Sequence, residues 1–314
     1  MLSIVTVSKG RHEIFLRSVK SIWENAADPN NIEHIVATDF HDQKTNDFMD
    51  RYIEMYPDYK IAHHKVRLPP CEECSESRGK PVIHYEKRNI HKDYWNPIAT
   101  QANGSVIFGM TNDVILETTG FDTIMLEAVE EAKKEHSHSY FQVLIDDDEK
   151  NILPESAKPF YYCSLIILTK EAVRVLGGIA PDQIVFSGAD QYMGQIFSNT
   201  LFKSQIDLRD RIVSQSISHH TGKQDAPDDV TISHPLDDTN WIEVANKQYD
   251  LALDYAIIKQ VKWVRNEMVE QTQFIDSSTK SAIEDIRAKL IHKASDGRGG
   301  WKENYHLKRL EGGQ

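Results

Sequence analysis

Three adjacent polar residues, Thr111-Asn112-Asp113, follow the apolar run Val106-Ile107-Phe108-Gly109-Met110. The run reads as a buried strand over 105–110, and the polar turn puts Asp113 at its C-terminal end. In open α/β sheets, ligands gather outside that edge. A hard divalent cation needs oxygen ligands there, and an aspartate fixed by a rigid strand supplies one. The three residues therefore read as a metal and diphosphate turn. The competing reading is that Asn-Asp simply makes a turn. Asp146-Asp147-Asp148, behind an expected strand over 140–145, is a rival metal turn. Asp113 is preferred because the strand before it is more apolar.

Three further groups have chemically useful side chains. His219-His220-Thr221-Gly222-Lys223 closes an alternating strand over 211–218. Neighbouring residues on an extended chain point opposite ways, so no more than one of His219 and His220 could ligate a metal, and an exposed polar turn is the competing reading. Lys223 would neutralise diphosphate charge. Asp190, behind Gly188-Ala189, opens a helix over 190–199. A carboxylate there serves either as an N-cap or as a base for a hydroxyl. Cys71-x-x-Cys74 is half of a zinc site, with His63, His64 and His84 nearby in sequence. Without a second cysteine pair, an ordinary loop with free thiols is preferred.

These residues need a scaffold. Strands are expected over 2–7, 32–38 and 59–66, and helices over 12–25 and 47–56, each helix with an apolar face. Strand, helix, strand, helix, strand implies right-handed crossovers and a parallel sheet. No Gly-x-Gly-x-x-Gly follows the first strand, so a dinucleotide cofactor is not expected. Residues 68–82 read as a long irregular insertion, and 91–103 as a helix carrying Lys92, Trp95 and Asn96. Further helices fall over 121–136 and 170–176, the latter closed by Gly177-Gly178, and a further strand over 160–168. From about Trp241 the character changes to two helices, 251–269 and 277–293, and a loose Gly-rich tail.

The order of these features resembles the GT-A glycosyltransferases, in particular the family-2-like nucleotide-sugar transferases, over roughly residues 1–235. The resemblance rests on the first strand and its helix, Asp39, the segment from Asn96 through Asp113, the Gly188-Ala189-Asp190 helix start and the terminal His-His-x-Gly-Lys. It implies a Rossmann-like, mostly parallel α/β sheet flanked by helices. The expected division is a catalytic unit over 1–238 and a C-terminal helical extension over 239–314. It further implies that Thr6, Ser8, Arg11 and Asp39 meet the nucleotide base, with Asp39 accepting from uracil. Asn96 and Asn112 would contact the donor. Asp113, with His219 or His220, would hold Mn2+ or Mg2+ on the diphosphate, and Asp190 would deprotonate the acceptor. Thr111 departs from the family pattern, which carries a carboxylate at that position. Asp39 capping its own turn with Phe40-His41-Asp42 and Arg11 as a solvated helix start are the competing readings.

The implied activity is transfer of a hexosyl or pentosyl group from a nucleotide diphosphate sugar, of the uridine type, to an acceptor hydroxyl with inversion. A saccharide or glycolipid acceptor is the default, with a hydroxylated nucleobase or a protein side chain as alternatives. A nucleotidyltransferase of related fold and a non-catalytic nucleotide-sugar or glycan-binding module are the alternative functions. The net charge of -12 disfavours broad binding to nucleic acid or anionic lipid. No run is long and apolar enough to span a membrane. Three cysteines suggest no disulfide framework, and the first residues enter a strand without signal-peptide features. The expected location is therefore cytoplasmic. The apolar stripes of the C-terminal helices fit homo-oligomerisation, cover for the acceptor side or contact with a membrane surface.

Overall fold

The computed structural model describes residues 1–68, 90–136, 139–147, 165–180, 193, 197 and 205–216. Asp148, Asp190, His219, His220, Lys223, Cys71, Cys74 and the whole C-terminal extension lie outside them.

The chain opens with β1 (Leu2–Val7), α1 (His12–Asn25), β2 (Ile32–Asp39), α2 (Gln43–Met55) and β3 (Lys60–Val66). All three strands are parallel, with Val7 beside Ala37 and Asp39 beside Val66. β2 is buried along its entire length, as a strand covered on both faces must be. At the open edge, β3 is only half-buried. Helix α1 turns Phe15, Val19, Ile22 and Trp23 to the sheet. Helix α2 starts four residues earlier than its apolar spacing suggests. Asp42 caps it by accepting the Thr45 N–H at 3.1 Å, which draws 43–46 into the first turn.

Residues 91–103 are not one uniform helix. A π-helical turn (His91–Trp95) runs into α3 (Asn96–Gln101), and Pro97 stands in the first turn of α3. Proline has no N–H for an i−4 carbonyl, so regular α winding cannot run through this point. The chain continues through β4 (Val106–Gly109), β5 (Val114–Leu116), α4 (Phe121–Glu135), β6 (Gln142–Leu144), β7 (Ile166–Thr169), α5 (Lys170–Leu176), β8 (Gln205–Asp207) and β9 (Ser214–Ser216). Of the strand expected over 211–218, residues 214–216 form β9 and residues 217 and 218 lie outside the described residues; its start is lost because the chain turns through 208–212 with the Arg211 and Ile212 N–H groups on the Leu208 carbonyl.

The main sheet has the order β3-β2-β1-β4-β7-β6-β8, with β7 antiparallel to both its neighbours. β5 and β9 form a separate antiparallel pair. One apolar layer gathers α1, α2 and α4 on one face of the sheet. The other gathers the π-helical turn, α3 and α5 on the opposite face. The result is an α/β/α sandwich with a mostly parallel centre.

Candidate functional site

Parallel pairing puts the C-terminal ends of β1, β2 and β4 at one edge of the sheet. Three connections leave from that edge: residues 8–11 after β1, 40–42 after β2 and 110–113 after β4. Reversal at β7 and again at β6 brings the end of β6, with Asp146 and Asp147, to the same edge. Both acidic turns named from the sequence therefore lie on one rim, two strand spacings or about 10 Å apart. Asp146 is engaged through its backbone, taking the Ser214 N–H at 2.7 Å and giving its own N–H to Ile212 O at 2.9 Å.

The β1 connection is tightly folded. Ser8 gives its N–H to the Ala37 carbonyl at 3.0 Å. Gly10 and Arg11 are both left-handed, with φ of 61° and 52°, and Arg11 is the only non-glycine residue among those described with positive φ. Such a residue costs about 1–2 kcal/mol, so the surroundings must enforce it. The consequence is that the Arg11 guanidinium stands 4.0 Å from Asp113 Oδ2. The Ser8 hydroxyl is buried at the root of this turn and has no hydrogen-bond partner among the described residues.

Asp113 is fixed from its own turn as well. Thr111 donates its hydroxyl to Asp113 Oδ1 at 2.7 Å, and the carboxylate side chain keeps 13% exposure. Asn112 between them is half-buried. Behind the turn, β5 is gripped by α1: Ser21 Oγ accepts the Leu116 N–H at 3.0 Å and Asn25 Nδ2 donates to the Leu116 carbonyl at 2.8 Å. Helix α1 thus carries Arg11 at its start and holds the strand behind Asp113 near its end. Ser21 and Asn25 were not foreseen from the sequence, where they read as polar interruptions of a helix.

Asp39 is 5% exposed. Its Oδ1 accepts the His41 N–H at 2.8 Å and its Oδ2 accepts the Tyr94 hydroxyl at 3.3 Å. The carboxylate caps the turn 40–42 and ties it to the π-helical turn, a winding that recurs at functional sites. A carboxylate has lone pairs left beyond these two bonds.

Thr6 and Asn96 are committed to the interior. Thr6 Oγ1 lies 3.1 Å from His34 Nε2 in the α1–α2 layer. The Asn96 carboxamide clasps the chain after α5. It donates to the Ala180 carbonyl at 2.8 Å, and its Oδ1 accepts the Ile179 and Ala180 N–H groups at 2.9 and 3.3 Å. Gly178 passes so close that a Cβ would overlap this carboxamide, and its φ of 141° suits glycine alone. Gly178→Ala is therefore expected to cost about 2–4 kcal/mol by overlap and backbone strain. Chemical denaturation checks it, and unchanged stability would mean the loop does not rest on Asn96.

Among the described residues no three His, Cys, Asp or Glu side chains come together to cage a metal. Asp113 nevertheless fits the least demanding cation site, where one carboxylate is joined by phosphate oxygens and water. Strand β9 bears on the same point. Its Ser216 lies opposite Val114, the residue after Asp113.

No family model matches the sequence, and no curated protein does. Solved structures do. S. aureus TarS 1-349 superposes with a TM-score of 0.56 at 11% identity, covering 95% of this chain and 72% of that one. The fold is GT-A. The same TarS fragment in complex with UDP-GlcNAc gives 0.51 at 12% identity, over 95% and 73% of the two chains. The longer TarS chain gives 0.52 at 12% identity, with 95% of this chain spanning 44% of that one. A mannosyltransferase from Pyrobaculum calidifontis, in complex with GDP-Man and Mn2+, is fainter at 0.47 and 12% identity, over 98% and 78% of the chains. No described helix is long and apolar enough to cross a membrane.

Proposed function

We propose that this chain is a glycosyltransferase that moves a hexosyl or pentosyl group from a uridine diphosphate sugar to an acceptor hydroxyl, with inversion. The observation that carries the reading is the approach of Arg11 to Asp113 at the shared C-terminal edge of β1 and β4. Ligands of open α/β sheets bind outside this edge. Two further observations support the donor half. Ser8 offers a buried hydroxyl with no partner among the described residues, beside the Arg11 turn, and the TarS fragment of the same fold has been solved with UDP at a TM-score of 0.53.

Arg11 places fixed positive charge where a diphosphate would lie. Asp113, with its rotamer set by Thr111, would hold a divalent cation. That cation, Mn2+ or Mg2+, would neutralise charge on the departing diphosphate. Asp39 orders the turn on which the base would rest, and Asn112 flanks the diphosphate. Thr6 and Asn96 enter as scaffold. By the resemblance, His219 or His220 would be a second cation ligand and Lys223 would neutralise diphosphate charge. Asp190 takes the proton of the acceptor hydroxyl as its oxygen bonds to the anomeric carbon and the sugar–diphosphate bond breaks.

One observation favours a non-catalytic module instead. Thr111 stands where the family pattern has a carboxylate, so the turn keeps one, Asp113, with which to hold a cation. Calorimetric titration with UDP, alone, with Mn2+ and then with chelator, separates the readings. Binding that strengthens with Mn2+ and reverts with chelator is the result expected for the transferase. Binding indifferent to metal favours the module, and no binding of any nucleotide would sink the transferase and leave a glycan-binding module in front.

A further inference from the structure

The Arg11 turn is unfavourable in isolation, so something must hold it. One group that holds it is Thr45, in the first turn of α2 and 1% exposed. Its hydroxyl donates to Asp42 Oδ2 at 2.7 Å. A carboxylate only accepts, so the single hydroxyl hydrogen is spent there. The Gly10 N–H, which only donates, points at the same oxygen from 3.0 Å. His12 Nε2 approaches it at 3.2 Å. Having no second hydrogen to give, the Thr45 oxygen must accept from His12, which therefore carries its proton on Nε2. The His12 ring is held for this by stacking on Phe48, with 4.4 Å between centroids and 10° between planes. One donor and two acceptor positions are all that a hydroxyl has, and Thr45 uses all three.

We propose that Thr45 is a positioning residue of the donor site: by fixing Gly10 it holds Arg11 left-handed and aims the guanidinium at the diphosphate position beside Asp113. Anchors among the described residues include Ser8 on Ala37, Gly10 on Thr45 and the Arg11 carbonyl on the Phe15 N–H at 2.9 Å. Of these, the Thr45 contact alone is made by a side chain. It links the turn after β1 to the helix that Asp42 caps behind the turn of Asp39. Sequence spacing carries a trace of it in Asp42-x-x-Thr45, which marks a helix start but does not reveal the partner 35 residues away.

The inference rests on the donor-site reading and is tested with UDP and Mn2+ by calorimetry on the full chain. Thr45→Ser keeps the hydroxyl and is expected to bind within about twofold of the natural protein. Thr45→Val keeps the shape and strands three polar groups, and is expected to bind about tenfold more weakly. If the loss runs through Arg11, Thr45→Val should cost nothing more in an Arg11→Ala background. Equal weakening in both backgrounds, or no weakening at all, would overturn the proposal. Hydrogen exchange gives a check that needs no variant. The Gly10 amide should be protected in the natural protein, and rapid exchange there would also overturn it. If the natural protein binds no nucleotide, the donor-site reading fails, whereas a natural protein that binds beside an unaltered Thr45→Val refutes only the role of Thr45.

Discussion

Asp113→Asn is expected to reduce turnover by about a hundred- to a thousandfold while leaving the fold in place, by analogy with loss of one electrostatic contact in a transition state. Asparagine keeps the size of the side chain, and its carbonyl can still accept the Thr111 hydroxyl. What it loses is charge. A cation would lose its carboxylate, and Arg11 would lose the anion 4.0 Å away. Stability should scarcely respond, because an ion pair this long and still in contact with solvent contributes less than about 1 kcal/mol. The melting temperature should move by no more than a few degrees. The two readouts together decide the role of the pair. Lost turnover at an unchanged melting temperature supports a charge in the reaction. A lowered melting temperature with turnover intact would make Asp113 a structural partner of Arg11 and remove it from the chemistry.

The alternating order of strands and helices over the first 66 residues was legible because each element carries its own periodicity. Leu2, Ile4 and Val5 announce β1, and Phe15, Val19 and Ile22 announce α1. The placement of Asp39 and Asp113 at one edge followed from parallel pairing. What was not legible is how buried polar residues choose partners. Ser3 and Thr6 look like interruptions of an apolar strand. Ser3 sits beside Glu33 in the β1–β2 register and donates to its carboxylate. That carboxylate also takes the Asn103 and Gly104 N–H groups. Burial alone would raise the Glu33 pKa, but these bonds outweigh it and hold the group below the usual carboxylate range. Ser21 and Asn25 meet Leu116 across 95 and 91 residues. No local pattern encodes such contacts. The general signal was available: a polar residue on a strand covered on both faces must find a partner on a neighbouring element.

Stability should fall as pH drops below about 6.5, and His34 is the main expected cause. His34 is fully buried on β2 between α1 and α2. Trp23 Nε1 donates to the Tyr52 hydroxyl at 3.1 Å, and that hydroxyl lies 3.0 Å from His34 Nδ1. The Tyr52 hydrogen needs an acceptor, which makes Nδ1 the bare nitrogen and Nε2–H the donor to Thr6. A second proton on the ring would meet the Tyr52 hydrogen head-on. Burial pushes the His34 pKa down to about 3, against about 6.5 in the unfolded chain. Between these values the unfolded state binds a proton that the folded state refuses, so stability rises with pH across that window and is lost on acidification. The slope is up to about 1.4 kcal/mol per pH unit, or about 2 kcal/mol between pH 7 and 5. Burial also lowers the pKa of His12 and His63, which add in the same direction. Glu33 acts at lower pH, because its stabilisation is present above its unfolded value of about 4.5 and lost as pH falls through its lower folded value. A difference measurement therefore isolates His34. In urea denaturation, His34→Gln should be the less stable protein at pH 7, since it disturbs a close-packed network. The gap to the natural protein should shrink by about 2 kcal/mol at pH 5, because glutamine cannot take the proton in either state. A gap that stays constant would mean that His34 titrates as freely in the fold as outside it, and that water reaches the layer between β2 and the two helices.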